Sequence, residues 1–202
     1  MCGRFSLNAQ LKEVRSILEE VAWDSEPVPV KTGEIYPSDV VPVFERTRGW
    51  VRTKAMTWGF PRWDGKGVVF NARAETALEK PIFRKALLHR PAVVPTTGFY
   101  EWKAVPGQRK KEKYLFREQG AELLYLAGFY NLFDGPPGSL RERFVILTTA
   151  ANASMTPFHD RMPILLRGEE RESWLGGRAL EAFLTREPFA LRAEAAEPRL
   201  DG

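Results

Sequence analysis

The chain has 202 residues, 44% of them hydrophobic and 28% charged, enough for one domain that buries about 70% of its unfolded surface. That composition excludes a disordered or fibrous chain, and the lack of any run of roughly 18 apolar residues excludes a transmembrane helix. Thirty Lys and Arg against 26 Asp and Glu leave a formal charge of +4, compatible with a polyanionic partner but not requiring one.

Apolar residues at helical spacing (Leu11, Val14, Ile17, Leu18, Val21) predict a helix over 9–22 with Asn8 as its cap. After Pro27 and Pro29 the pattern turns to short extended runs at 40–44, 51–58 and 67–70, bounded by Gly, Pro or Asp. The segment 76–88 reads as two short helices interrupted at Pro81. Runs at 92–102, 113–116, 123–133 and 143–149 follow in meander order, separated by turns such as VPGQ and DGPPG. Segments 151–155, 169–175 and 178–184 are expected to be helical. The sum is an α+β fold: a mainly antiparallel, barrel-like β-sheet core with peripheral helices. One domain over 2–186 is expected, with 187–202 a poorly ordered tail of acids, alanines and prolines. The basic run 109–113 reads as a solvated hairpin tip, and Trp23, Trp50 and Trp174 are assigned to the core.

The lone cysteine is residue 2. It excludes an intramolecular disulfide and a Cys-rich zinc site, and it suits a reducing cytoplasm. The amino terminus lacks an apolar signal core. Methionine is generally removed before a small second residue, which would leave Cys2 with a thiol and a free α-amine, the latter with an ordinary pKa near 8. Such a 1,2-aminothiol condenses with an aldehyde to a Schiff base that the sulfur closes to a thiazolidine. A buried, incidental cysteine is the other reading.

Three further clusters stand out. Glu101 interrupts the apolar-aromatic run GFYEW behind Gly98, either as an exposed strand carboxylate or as a proton-transfer group. In NARAE, Asn71, Arg73 and Glu75 share a face if extended; otherwise they open a helix. One of only two histidines, His159, lies beside Arg161 in PFHDRMP.

MCGRF, WGF with the following Trp63, NARAE, GFYEWK, TTAAN and HDRMP occur in that order over residues 2–163. This set resembles the SRAP family, the SOS-response-associated peptidase proteins, whose members shield abasic sites in single-stranded DNA. The resemblance implies an SRAP-like fold and a catalytic set of Cys2, Asn71, Glu101 and His159. Cys2 would bond C1′ of the ring-opened sugar, and Asn71 would position the cysteine and the sugar. Glu101 would manage protons, and His159 would assist ring opening. It also implies a DNA-binding set in which Arg4, Arg73, Arg161 and Thr148 hold phosphates while Pro37, Trp63 and Trp102 pack against flanking bases. The chain departs from the pattern at Glu34-Ile35-Tyr36-Pro37, where many relatives have Asn-x-x-Pro, and at 123–133, where relatives often carry a Trp-Glu pair.

On this reading the protein captures abasic sites in single-stranded DNA as a thiazolidine, with weak AP-lyase activity and crosslink reversal as side reactions. A monomer is expected, without metal, cofactor or membrane, in the cytoplasm and on the nucleoid when bound to damaged DNA. Two other readings use overlapping residues. One is a cysteine peptidase or amidase that removes Met1 through Cys2 and His159 with Glu101. The other is a non-covalent single-strand-binding module built on the aromatics and arginines. Arg4, Arg73 and Arg161 favour the nucleic-acid readings, because planar guanidinium groups grip phosphate and have no evident task in amide hydrolysis.

Overall fold

The alternation of large apolar and polar residues in the short extended runs becomes two sheets in the structure, a computed structural model that describes residues 2–22, 28–135 and 139–196. In chain order the elements are β1 (Phe5–Leu7), α1 (Lys12–Glu19), β2 (Val21–Ala22), β3 (Gly33–Ile35), β4 (Val40–Thr47), β5 (Trp50–Trp58), β6 (Phe60–Pro61), β7 (Val68–Val69) and β8 (Asn71–Arg73). Then come α2 (Ala74–Ala77), α3 (Pro81–His89), β9 (Pro91–Thr96), β10 (Gly98–Lys103), β11 (Glu112–Arg117), β12 (Leu124–Asp134) and β13 (Leu140–Ala150). The chain ends through β14 (Arg161–Pro163), β15 (Leu165–Leu166), α4 (Arg171–Leu175), α5 (Leu180–Thr185) and β16 (Arg192–Ala195).

Strands β13, β12, β9, β4 and β5 pair in that order, and β5 returns to β13 through a parallel contact of Thr57 with Arg143 and Trp58 with Phe144. This closes a five-stranded barrel and removes the open edges a flat sheet would present. Alternation along each barrel strand sorts its side chains into two cores. Val41, Val43, Leu126, Tyr130, Phe144 and Ile146 belong to one, together with Phe5, Phe99 and Phe116 of the second sheet. Phe44, Val93, Ala127, Phe129, Val145 and Leu147 belong to the other, which the helices cover with Phe83, Leu87, Trp174 and Phe183. The mixed α+β, barrel-like architecture expected from the sequence is the one observed.

The second sheet runs β16-β11-β10-β1-β3, all antiparallel. β9 passes into β10 at Gly98, whose φ is +144°; a Cβ there would lie 2.7 Å from the Phe116 carbonyl oxygen. Only glycine accepts both that backbone and that approach. The turn delivers GFYEW to the middle of the second sheet, where Tyr100 N–H donates to the Arg4 carbonyl at 2.8 Å.

Several sequence expectations are corrected. The first helix begins at Lys12, and the Asn8 side chain does not cap it; its Oδ1 accepts from Gln10 N–H at 3.0 Å. Residues 151–155 are turns rather than a helix, because Asn152 gathers the local backbone: its Oδ1 accepts from Ser154 and Met155 N–H and from Ser154 Oγ. Trp50 is 77% exposed at the β4–β5 turn, whereas Trp174 is buried and donates its indole N–H to the Ala92 carbonyl at 2.9 Å. Trp23 lies outside the described residues. In the segment set apart as a tail, Arg192–Ala195 adds an edge strand to β11, and 197–202 lies outside the described residues.

Candidate active site

Asn71 reaches the site because β8 runs parallel to β13, with Asn71 opposite Ile146 and Arg73 opposite Thr148. The preceding residue is pinned as well: the Phe70 carbonyl accepts the Trp58 indole N–H at 2.9 Å and the Ile146 N–H at 3.1 Å. From this anchor Asn71 Nδ2 donates to the Cys2 carbonyl at 2.9 Å. Its Oδ1 is buried and has no hydrogen-bond partner among the described residues. A buried acceptor beside Cys2 is costly unless something donates to it.

Cys2 is completely buried in the first core, its Sγ 3.9 Å from the Arg4 carbonyl oxygen. Burial pushes its thiol well above the ordinary thiol range, and the negative charge of Glu101 pushes it further; a backbone hydrogen bond with Arg4 works the other way. Glu101 itself is buried on β10, on the face it shares with Phe99, while Tyr100 and Trp102 occupy the opposite face. Cys2, Asn71 and Glu101 thus converge.

His159 sits in the loop between β13 and β14, which the Ala151 N–H closes onto the Asp160 carbonyl at 3.0 Å. Its Nδ1 accepts from Arg161 N–H at 2.9 Å and lies 2.7 Å from the exposed Asp160 carboxylate. A neutral ring suits the first contact and a protonated ring the second.

Arg161 is held by a bidentate pair with Glu75, at 2.7 and 2.8 Å, and its Nη2 also donates to the Thr148 carbonyl at 2.6 Å. Thr148 lies beneath it, closed to solvent, its hydroxyl 3.4 Å from the Ala72 carbonyl. Asn71 and Arg73 are extended, but Glu75 already belongs to α2 and turns to Arg161. Arg73 is exposed and has no ion pair among the described residues.

The hydrogen bond from Arg161 holds the Glu75 carboxyl below the ordinary carboxylate range, against the smaller opposing effect of its partial burial. The unfolded chain therefore takes up this proton first as pH falls, so the pair stabilises fully at neutral pH and its contribution declines as pH drops from about 4 through the lowered folded value. Glu75→Gln is accordingly expected to lower the thermal midpoint at pH 7 and to lower it less at pH 3.5. An equal drop at both values would mean the pair does not act as an ion pair.

Arg4 stacks between the rings of Tyr36, at 4.2 Å, and Trp102, at 4.7 Å, and donates to Glu34 at 3.0 Å. Pro37 is half-buried just beyond Tyr36. Trp63 is 96% exposed in the loop between β6 and β7, available to stack on a ligand. Sequence reasoning missed Tyr36, Glu34 and Lys113, whose Nζ is 2.6 Å from Glu34 and 4.1 Å from the Tyr100 ring centroid. The only signal for them was Glu34 itself, an acid in place of the expected asparagine. Among the described residues no group of three or more Cys, His, Asp or Glu side chains is placed to hold a metal, and no helix is long and apolar enough to cross a membrane.

The fold and sequence both have relatives. A protein from Bacteroides thetaiotaomicron solved by X-ray crystallography superposes with a TM-score of 0.80 at 24% identity, covering 97% of this chain and 92% of that one. Abasic site processing protein YoqW of Bacillus subtilis (strain 168) is 32% identical over 186 residues, 87% of this chain and 80% of that protein. Abasic site processing protein YedK of Escherichia coli (strain K12) is 28% identical over 179 residues, 87% of this chain and 79% of that protein. A sequence profile of the SOS response associated peptidase (SRAP) family matches residues 1–196, and with that match the chain belongs to the SRAP family.

Proposed function

We propose that this protein processes abasic sites, capturing the ring-opened sugar in single-stranded DNA as a thiazolidine on Cys2. The observation that carries the reading is the hydrogen bond from Asn71 Nδ2 to the Cys2 carbonyl, which fixes the second residue of the chain beside the buried Glu101. A structural cysteine needs neither a dedicated amide on its carbonyl nor a carboxylate at its side. The names of YoqW and YedK support the same substrate.

Removal of Met1 frees the Cys2 α-amine. The amine adds to C1′ of the open-chain aldehyde to give a carbinolamine, which loses water to form a Schiff base. The Sγ–H then adds across the C=N bond: sulfur bonds C1′, its proton passes to nitrogen, and a five-membered ring closes. Each step moves protons at one place, the task a neighbouring carboxylate performs. Glu101 takes the proton from the attacking amine and returns one to the departing hydroxyl, His159 assists sugar ring opening, and Asn71 Oδ1 accepts from the new amine or the sugar. Arg73 and Arg161 hold the flanking phosphates, while Trp63 and Trp102 meet the neighbouring bases. An abasic residue has no base to unstack, so drawing it toward the site costs little. Proton loss from C2′ of the Schiff base gives weak strand scission, and hydrolysis of the ring reverses the capture.

The test is a denaturing gel of the protein incubated with single-stranded DNA carrying one abasic site, beside undamaged DNA and the Cys2→Ala variant, with intact mass reporting Met1 loss. A heat-stable slow band that needs both Cys2 and the abasic site is expected. Its absence from protein shown to lack Met1 would sink the proposal and bring peptide substrates forward.

A further inference from the structure

On the face of β10 opposite Glu101, five side chains form a ladder of alternating rings and cations. Tyr36, Arg4 and Trp102 stack in sequence, and Lys113 follows, its Nζ 6.0 Å from the Trp102 ring and 4.1 Å from that of Tyr100. A single carboxylate is inserted among them. Glu34 Oε1 receives both Arg4 Nη1, at 3.0 Å, and Lys113 Nζ, at 2.6 Å, and its side chain is only 9% exposed. Burial would raise the Glu34 carboxyl, but the two cations outweigh it and hold it below the ordinary range. Arg4 Nε remains buried with no acceptor among the described residues. One anion is therefore shared by two cations that retain unspent donor capacity, on a surface that also offers three aromatic rings.

We propose that Glu34 is an internal competitor within this strand-binding subsite, occupying between Arg4 and Lys113 the anion position that a DNA phosphate takes on binding, and that Lys113, Tyr36 and Tyr100 extend the single-strand contacts already expected of Arg4 and Trp102. This rests on the reading of the protein as a single-strand-binding abasic-site processor. The chemistry of the ladder is that of known single-strand platforms, with cations for the backbone and rings for the bases. Glu34 sets how much positive charge the subsite can spend: two cations less one carboxylate, so one. It makes binding to undamaged strand weaker than the bare ladder would give, which suits a protein whose product is covalent and whose search must remain reversible.

The expected effects follow from counterion release, in which each net cation engaged on a single strand contributes a slope of about 0.7 in log K against log salt. That slope between roughly 1 M and 0.1 M salt is a factor of about five. Glu34→Gln keeps an oxygen for Arg4 and Lys113 but removes the charge. It should bind a labelled, undamaged thymidine oligonucleotide about fivefold more tightly near 0.1 M salt, with a slope steeper by about 0.7. Lys113→Gln should do the opposite by the same amounts, and the double variant should return to the affinity and slope of the starting protein.

Anisotropy titrations at four salt concentrations read all three variants. Unchanged or weaker binding by Glu34→Gln, or a double variant that fails to return, overturns the proposal. Thermal unfolding checks each fold; should Glu34→Gln not fold, the Lys113→Gln slope alone decides. The abasic-site crosslinking gel is run on the same preparations. Variants that follow the charge pattern without giving a covalent band leave the subsite standing and sink the chemistry. Variants that crosslink but ignore the pattern do the reverse.

Discussion

Glu101→Gln is expected to slow covalent capture of an abasic site by about 10²- to 10³-fold, within the range a positioned general acid–base group supplies. The carboxylate is buried and close enough to the Cys2 thiol for its charge to raise the thiol's pKa. Glutamine preserves shape and hydrogen bonding but cannot take a proton from the amine or return one to the leaving hydroxyl. The substitution also acts on the thiol with the opposite sign, since removing the negative charge makes Sγ easier to ionise. If ring closure by sulfur limited the rate, the variant would be faster than the starting protein; if proton transfer in Schiff-base formation limits it, the variant is slower. Time courses quenched onto a denaturing gel between pH 6 and 8 separate the two. A rate within threefold of the starting protein at every pH would remove Glu101 from the chemistry.

Trp58→Ala is the largest stability loss expected, about 3–5 kcal/mol by analogy with large-to-small core substitutions. Trp58 is fully buried at the end of β5. It stacks on Phe144 with ring centroids 6.3 Å apart and meets Phe5 at 5.0 Å, so it bonds the barrel to the second sheet. Its indole N–H also holds the Phe70 carbonyl, the residue before Asn71. Urea unfolding should report the loss, and the surviving folded fraction should crosslink more slowly because Asn71 loses its anchor. Trp58→Phe keeps most of the ring contacts and removes the donor. It should cost about 1–3 kcal/mol yet still slow crosslinking, a separation that a purely structural role for Trp58 would not give.

Much of the architecture was legible in the sequence because alternation is a local signal. Runs such as VVPVF and RFVILTT can bury one face only as strands, and meander order with Pro and Gly turns favours closure. Pro81 correctly divided α2 from α3, since the ring fits the first helical turn where no N–H is needed. The failures have physical causes. Trp50 was placed in the core on hydrophobicity alone, although Arg48 and Gly49 ahead of it, both with positive φ, make a tight turn that projects it outward. ANASM has helix-compatible residues, but Asn152 also donates to the Pro188 and Phe189 carbonyls, so long-range bonds override propensity. RAEA at 192–195 carries no strand signal, and backbone pairing to β11 alone makes it one.

The candidate site divides in the same way. Its members could be found one motif at a time, whereas their connections could not. That Asn71 holds the Cys2 carbonyl, and that Glu75 holds Arg161, depends on β8 lying parallel to β13. The Glu34–Lys113 pair depends on β3 and β11 lying in one sheet with β10 and β1 between them.

The two parallel ladders on β13 also bear on how the protein is made. Hairpin neighbours such as β4–β5 and β12–β13 meet early because little chain entropy is lost in closing them, while β5–β13 and β8–β13 must wait for distant segments to find each other. A fold dominated by such non-local pairing takes about milliseconds to seconds to form. Through that interval the cysteine at the start of the chain has neither its burial nor its partners, and its sulfur meets any oxidant or small aldehyde in solution. In the finished protein Cys2 is buried, so the speed of barrel closure helps decide how many molecules reach maturity with its sulfur unmodified.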